Sequence, residues 1–179
     1  MKVRGTKNMK GYVHVYTGDG KGKTTAALGL SIRAAGAGLK IFFAQFIKDS
    51  DYSEIKALRR FSDLITVEQF GLGCFIGREP SSSDIEAARN GLDRLKSLLS
   101  SGEYHLFILD EATIAIKYDL FSEQDILDLI ALKPENAELV ITGRSASPRI
   151  IEKADLVTEM KAVRHYFEKG VQARVGIEK

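Results

Sequence analysis

Residues 17–25 read Thr-Gly-Asp-Gly-Lys-Gly-Lys-Thr-Thr and directly follow the apolar run Tyr12-Val13-His14-Val15-Tyr16. A glycine-rich turn between a strand and a helix points successive backbone N–H groups inward, where they cradle phosphate oxygens. Lys23 supplies a point charge for a phosphate, and the hydroxyl of Thr24 can ligate Mg²⁺. Gly18, Asp19, Gly20, Lys21, Gly22 and Thr25 complete the candidate loop. Lys21 adds a second cation, and Asp19 reads as a solvent-facing residue. The usual spacing is G-x-x-x-x-G-K-[ST]. Here Thr17 stands where the first glycine belongs, Gly18 comes one place late, and Gly22-Lys23-Thr24 is intact.

A second candidate is Asp110-Glu111, which ends the apolar run Leu106-Phe107-Ile108-Leu109. An acid at a strand end beside a phosphate loop binds Mg²⁺ directly or through water, and a second acid can polarise an attacking water. The alternative is a pair of helix N-terminal acids favoured by the dipole. Arg144, in Thr142-Gly143-Arg144, follows another strand-like run and suits a phosphate, a neighbouring acid or a plain surface turn. Arg33 suits an exposed, interface or ligand position equally. His14, His105 and His165 stand singly and show no metal-ligand spacing. Cys74 has no base partner nearby in sequence. No Ser-His-Asp, Cys-His or clustered-carboxylate arrangement stands out, so the chemistry need not use a protein nucleophile.

These residues must be positioned by alternating elements. Strand signals fall near 12–16, 39–46, 64–67, 105–109, 138–142 and 156–160. Helical patterns fall near 22–35, 53–61, 84–99, 124–132 and 148–153. A glycine-punctuated loop spans 71–77, and 163–175 reads as an edge strand or hairpin. Strands separated by helices at this spacing make right-handed crossovers and a mainly parallel sheet flanked by helices, an α/β fold. Ligands bind outside the carboxyl ends of such strands, which is where the loop, the acidic pair and Arg144 fall.

Length and composition agree with one domain. The chain has 179 residues, a formal net charge of +2 and one cysteine. Residues 11–179 are expected to form that domain, with 1–10 as a flexible arm. The balanced charge offers no basic surface for nucleic acid. No apolar run approaches the roughly 20 residues of a membrane span. The absence of a signal pattern makes the cytoplasm the default expectation.

Taken together, the motifs resemble the P-loop type of ATP:corrinoid adenosyltransferase, or cob(I)alamin adenosyltransferase. The resemblance rests on residues 17–27, Gln45-Phe46-Ile47-Lys48, Leu109-Asp110-Glu111-Ala112-Thr113, Tyr118-Asp119, Ile141-Thr142-Gly143-Arg144 and the closing 163–177. It runs from about residue 11 onward and implies a P-loop NTPase fold of RecA-like architecture. In that family the offset loop is normal, usually with Asn where Asp19 stands. Two departures are visible. Few residues precede the first strand, where relatives often carry a longer helix. The family's Gly-Phe-Thr-Trp segment corresponds to Gly73-Cys74-Phe75-Ile76, and the chain has no Trp. Phe70 or Phe75 is the candidate replacement near a corrin ring, against a plain packing role.

The resemblance implies transfer of the 5′-deoxyadenosyl group of ATP to the Co(I) centre of a corrinoid, with release of triphosphate. The implied cofactor is Mg²⁺, with Mn²⁺ as the alternative ion, and the implied assembly is a homodimer. Lys23 and Glu111 would be the catalytic residues. Gly18, Asp19, Gly20, Lys21, Gly22, Lys23, Thr24, Thr25 and Arg144 would hold the nucleotide. Thr24, Glu111 and Asp110 would serve the metal. A loop at 70–82 is expected to close over the site. The competing readings are a RecA-like ATPase module that hydrolyses ATP to ADP, a small-molecule kinase, and a corrinoid carrier without catalysis.

Overall fold

The computed structural model describes residues 10–48, 52–73 and 79–178. Six strands form one sheet: β1 Val13–Thr17, β2 Ile41–Gln45, β3 Ile65–Gln69, β4 Leu106–Asp110, β5 Glu138–Thr142 and β6 Leu156–Glu159. Their order is β3-β2-β4-β5-β1-β6, and all five pairings are parallel. The helices are α1 Lys23–Gly36, α2 Ser53–Leu58, α3 Ser82–Ser101, α4 Ala112–Lys117, α5 Glu123–Leu132 and α6 Pro148–Lys153.

β2 and β4 are buried at every position, as strands covered on both faces must be. Alternate residues then feed two cores, because successive side chains point to opposite faces. Leu106, Ile108, Ile41, Phe43 and Val140 pack with Ala27 and Ala34 of α1. Phe107, Leu109, Phe42, Leu139 and Ile141 pack with Leu92 and Leu95 of α3 and Ile126 and Leu129 of α5. β6 is exposed along its whole length, as an edge strand.

β5 lies between β1 and β4, so one strand separates the glycine loop from the acidic pair. The register places Gln45 opposite Asp110, and Tyr16 opposite Thr142. All of the motif ends therefore meet along one edge of the sheet.

Several expectations are corrected. The segment 163–175 is neither strand nor hairpin. It holds a 3₁₀ turn, Tyr166–Lys169, ended by Gly170 at φ 78°. Local bonds win there: the His165 ring accepts from the Phe167 N–H, and Arg174 pairs with Glu178. The helical pattern at 53–61 tightens to 3₁₀ geometry over Arg59–Phe61. α3 begins at Ser82 because the Ser81 hydroxyl accepts from the Asp84 N–H, which places Asp84 inside the first turn. α4 was not anticipated, being six residues long and without a distinct apolar period. Residues 1–9, Asp49, Cys74, Phe75, Ile76 and the rest of 74–78 lie outside the described residues.

Candidate active site

The offset of the glycine loop has a structural cause. Thr17 is the last residue of β1 and is buried, so it is not a loop residue. Its hydroxyl accepts from the Ala146 N–H at 3.2 Å, and its carbonyl accepts from the Met160 N–H at 2.8 Å. The position that needs glycine is the next one. Gly18 has φ 94°, and a Cβ there would sit 2.4 Å from the Met160 carbonyl oxygen.

α1 follows with Gly22 as its N-cap, no side-chain cap and no acid in its first turn. Its first amides and the positive end of its dipole face the loop, an arrangement suited to an anion. Lys23 folds over this loop. Its Nζ donates to the carbonyls of Gly18 at 2.6 Å and Gly20 at 2.8 Å. Burial holds the Lys23 pKa below the ordinary lysine value, and the nearby Glu111 carboxylate opposes that shift.

Asp110 is fully buried at the end of β4. Its Oδ1 accepts from Thr24 Oγ1 at 2.9 Å and from Thr142 Oγ1 at 2.7 Å. Its Oδ2 accepts from Gln45 Nε2 at 3.1 Å and lies 4.0 Å from Lys48 Nζ. Gln69 in turn donates to Gln45 Oε1 at 2.9 Å. Four strand ends and the start of α1 thus converge on one carboxylate.

Glu111 adopts φ 60°, a left-handed conformation uncommon outside glycine. Its N–H donates to Thr142 Oγ1 at 3.0 Å, which fixes the turn. Burial raises the Glu111 pKa, the Asp110 carboxylate adds to the rise, and Lys48, Lys23 and Arg144 oppose it. Gly143 at φ 138° completes this corner. A Cβ there would lie 2.1 Å from Thr113 Oγ1, which donates to the Arg144 carbonyl at 2.7 Å.

These elements enclose a cavity of about 590 Å³. Asp19, Gly20, Lys21, Gly22, Lys23, Thr24, Thr25, Glu111 and Arg144 all line it. Gly18 and Asp110 do not. Gly18 acts from behind through its carbonyl to Lys23, and Asp110 through Thr24. Sequence reasoning gave no role to other residues of the lining, among them Lys48, Ser53, Glu54, His165, Ile177 and Glu178. Lys48 lies 4.0 Å from Glu54 Oε1 and 5.5 Å from the Tyr52 ring centroid. Its place just past a buried strand end was the signal available for it.

Phe70 is partly buried against the core and does not line the cavity. It stacks near Phe46 at 5.9 Å between centroids, and its Cγ lies 2.5 Å from where a Cβ on Gly91 would be. Arg33 is exposed on α1. His14 pairs with Glu138 at 2.6 Å, and His105 accepts from the Lys40 N–H. Among the described residues, no group of three or more His, Cys, Asp or Glu is placed to hold a metal ion.

A glycine-rich loop at the end of β1, one strand away from an acidic pair at the end of β4, in an all-parallel sheet flanked by helices, defines a P-loop NTPase-like fold. A family model described as ATP:corrinoid adenosyltransferase BtuR/CobO/CobP matches residues 9–178, and the chain belongs to that family. It is 34% identical over 178 residues to the corrinoid adenosyltransferase of Pseudomonas aeruginosa, covering 99% of this chain and 88% of that protein. It is 32% identical to the corrinoid adenosyltransferase of Escherichia coli K12, covering 99% and 90%. Corrinoid adenosyltransferase CobA of Salmonella typhimurium is 30% identical, again over 99% and 90%. Family membership and the all-parallel α/β fold bear out both the resemblance and the architecture read from the motifs.

Proposed function

We propose that this chain transfers the 5′-deoxyadenosyl group of ATP to Co(I) of a corrinoid and releases triphosphate. The observation that carries the reading is the cavity itself. It joins a glycine loop carrying Lys21 and Lys23 to the acidic Glu111, in a chain of the ATP:corrinoid adenosyltransferase family. In this reaction cobalt supplies the electron pair that forms the Co–C5′ bond. The C5′–O5′ bond breaks, its pair stays on the triphosphate, and cobalt becomes Co(III). No proton need be removed, so no catalytic dyad is required.

The protein's tasks are then orientation and charge stabilisation. The α1 amides, Lys21 and Lys23 hold the triphosphate and stabilise charge on the leaving oxygen. Arg144 lines the same cavity and adds a further cation for the anion. Asp19 and Thr25 border the loop.

The donor set fits a hard cation. Thr24 lines the cavity and spends its proton on Asp110, which leaves its oxygen able to accept or to ligate. Glu111 lines the same cavity as a carboxylate pressed against a second acid. Thr24 and Glu111 would hold the ion, and Asp110 would act through Thr24 or through water. Triphosphate oxygens and waters would complete the shell. Mg²⁺, or Mn²⁺ in its place, would neutralise part of the departing charge.

Among the described residues no helix is long and apolar enough to cross a membrane. We place the enzyme in the cytoplasm, as a homodimer, with neither nucleic acid nor membrane as a partner and with residues 11–179 as one domain.

The test is anaerobic incubation with ATP, Mg²⁺ and chemically reduced corrinoid. A light-sensitive cobalt–carbon product with inorganic triphosphate supports the reading. ADP with an unchanged corrinoid spectrum contradicts it and favours the hydrolytic alternative.

A further inference from the structure

Residues 165–178 form a strap whose His165, Gly176, Ile177 and Glu178 supply one wall of the cavity. Besides its backbone bonds, the strap gathers several side-chain bonds on one carboxylate. Glu178 Oε2 accepts from the Arg174 N–H at 2.8 Å and from Arg174 Nε at 3.2 Å. Its Oε1 accepts from Arg174 Nη2 at 3.1 Å and from the Tyr166 hydroxyl. The Arg174 and Tyr166 bonds hold the Glu178 carboxyl down at about 2, so it carries full charge at neutral pH.

That charge stands over the phosphate loop. Lys21 Nζ is 4.0 Å from Glu178 Oε1. The chain before the strap is fastened to the loop by backbone bonds, Gly20 N–H to the Met160 carbonyl at 2.7 Å and Met160 N–H to the Thr17 carbonyl at 2.8 Å. The strap itself is mostly exposed; Phe167 and Val175 are 68% and 79% accessible. Its internal bonds run from Arg174 and Tyr166 to Glu178 and do not involve Lys21.

We propose that Glu178 competes with a polyphosphate anion for Lys21, so that the strap is latched to the phosphate loop by the Lys21–Glu178 pair and released when a polyphosphate takes the lysine. The inference rests on the proposed function for the identity of the anion. Two negative groups cannot share one exposed ammonium without mutual repulsion, and the multiply charged polyphosphate also has Lys23 and the α1 amides to hold it. Release of the strap would then accompany nucleotide entry, and relatching would accompany loss of triphosphate.

The experiment uses the full chain and inorganic triphosphate. Its affinity is measured by calorimetry for wild type and Glu178→Gln, and hydrogen exchange of 163–178 is followed with and without the anion. A partly exposed ion pair of this kind implies about two- to fivefold tighter triphosphate binding by Glu178→Gln. Triphosphate should also speed exchange across 163–178 in wild type. Because Glu178→Gln loosens the Arg174 bonds as well, Lys21→Gln is the second variant. It should raise exchange of the strap with no anion added and abolish the response to triphosphate. Equal or weaker binding by Glu178→Gln, slower exchange on adding triphosphate, or an unchanged strap in Lys21→Gln overturns the latch while leaving the proposed function standing. Failure of wild type to bind triphosphate at all overturns both.

Discussion

The hydroxyl of Thr24 donates to Oδ1 of Asp110 across 2.9 Å, joining the first turn of α1 to the end of β4. The bond spans 86 positions of sequence and passes over the inserted strand β5, whose Thr142 donates to the same oxygen at 2.7 Å. It ties Thr24, which lines the cavity, to the acidic corner.

Thr24→Val keeps the shape of the side chain and removes both the donor and the lone pairs. Turnover should fall about 100-fold, with an increased Mg²⁺ requirement, whereas Thr24→Ser should stay near wild type. Initial rates against Mg²⁺ concentration check this. Asp110 keeps its bonds to Thr142 and Gln45, so the fold should lose only about 1 kcal/mol in chemical denaturation.

Glu111→Gln separates stability from function. The Glu111 carboxyl binds its proton more tightly in the folded chain than in the unfolded chain. It therefore costs stability above the folded pKa, and this cost disappears as pH falls below the unfolded value. Glu111→Gln should melt higher than wild type at neutral pH and converge with it in acid, while activity drops about 100-fold or more. Thermal melts at a series of pH values, paired with rates, test both halves.

Lys23→Ala removes a cation whose pKa burial already depresses. We expect loss of about 10²- to 10³-fold in turnover with the fold intact. Retained activity in a correctly folded Lys23→Ala protein would contradict the role given to this lysine.

Gly143→Ala addresses the geometry of the corner. At φ 138° a Cβ would lie 2.1 Å from Thr113 Oγ1. The variant should lose about 1–3 kcal/mol of stability and, by displacing Thr142 and Arg144, some activity as well. Gly29→Ala, where a Cβ meets nothing within 4 Å, is the matched control.

Much of this was legible in the sequence, for identifiable reasons. The buried strands β2 and β4 are short apolar runs, and the phosphate loop and Asp110-Glu111 sit at strand ends, where parallel sheets place ligands. Asp110 as the meeting point of Thr24, Thr142 and Gln45 was not legible, because those residues meet only through the strand order β2-β4-β5-β1. The wall built from His165, Ile177 and Glu178 was hidden too. Its alternating apolar residues, such as Val163 and Val175, suggest a strand, while the bonds of Glu178 and the turn at Gly170 fold the segment back on itself. Lys48 stood in a quoted motif, but its approach to Asp110 depends on the pairing of β2 with β4.

The central claim is that the loop grips the triphosphate as a leaving group and that the C5′–O5′ bond is the one that breaks. ATP carrying ¹⁸O at the 5′ bridging position tests it directly. After reaction with reduced corrinoid, mass spectrometry should find the label in inorganic triphosphate and none in the adenosyl product. Label retained by a nucleotide, with unlabelled inorganic phosphate released, would mean cleavage at phosphorus and would contradict the account.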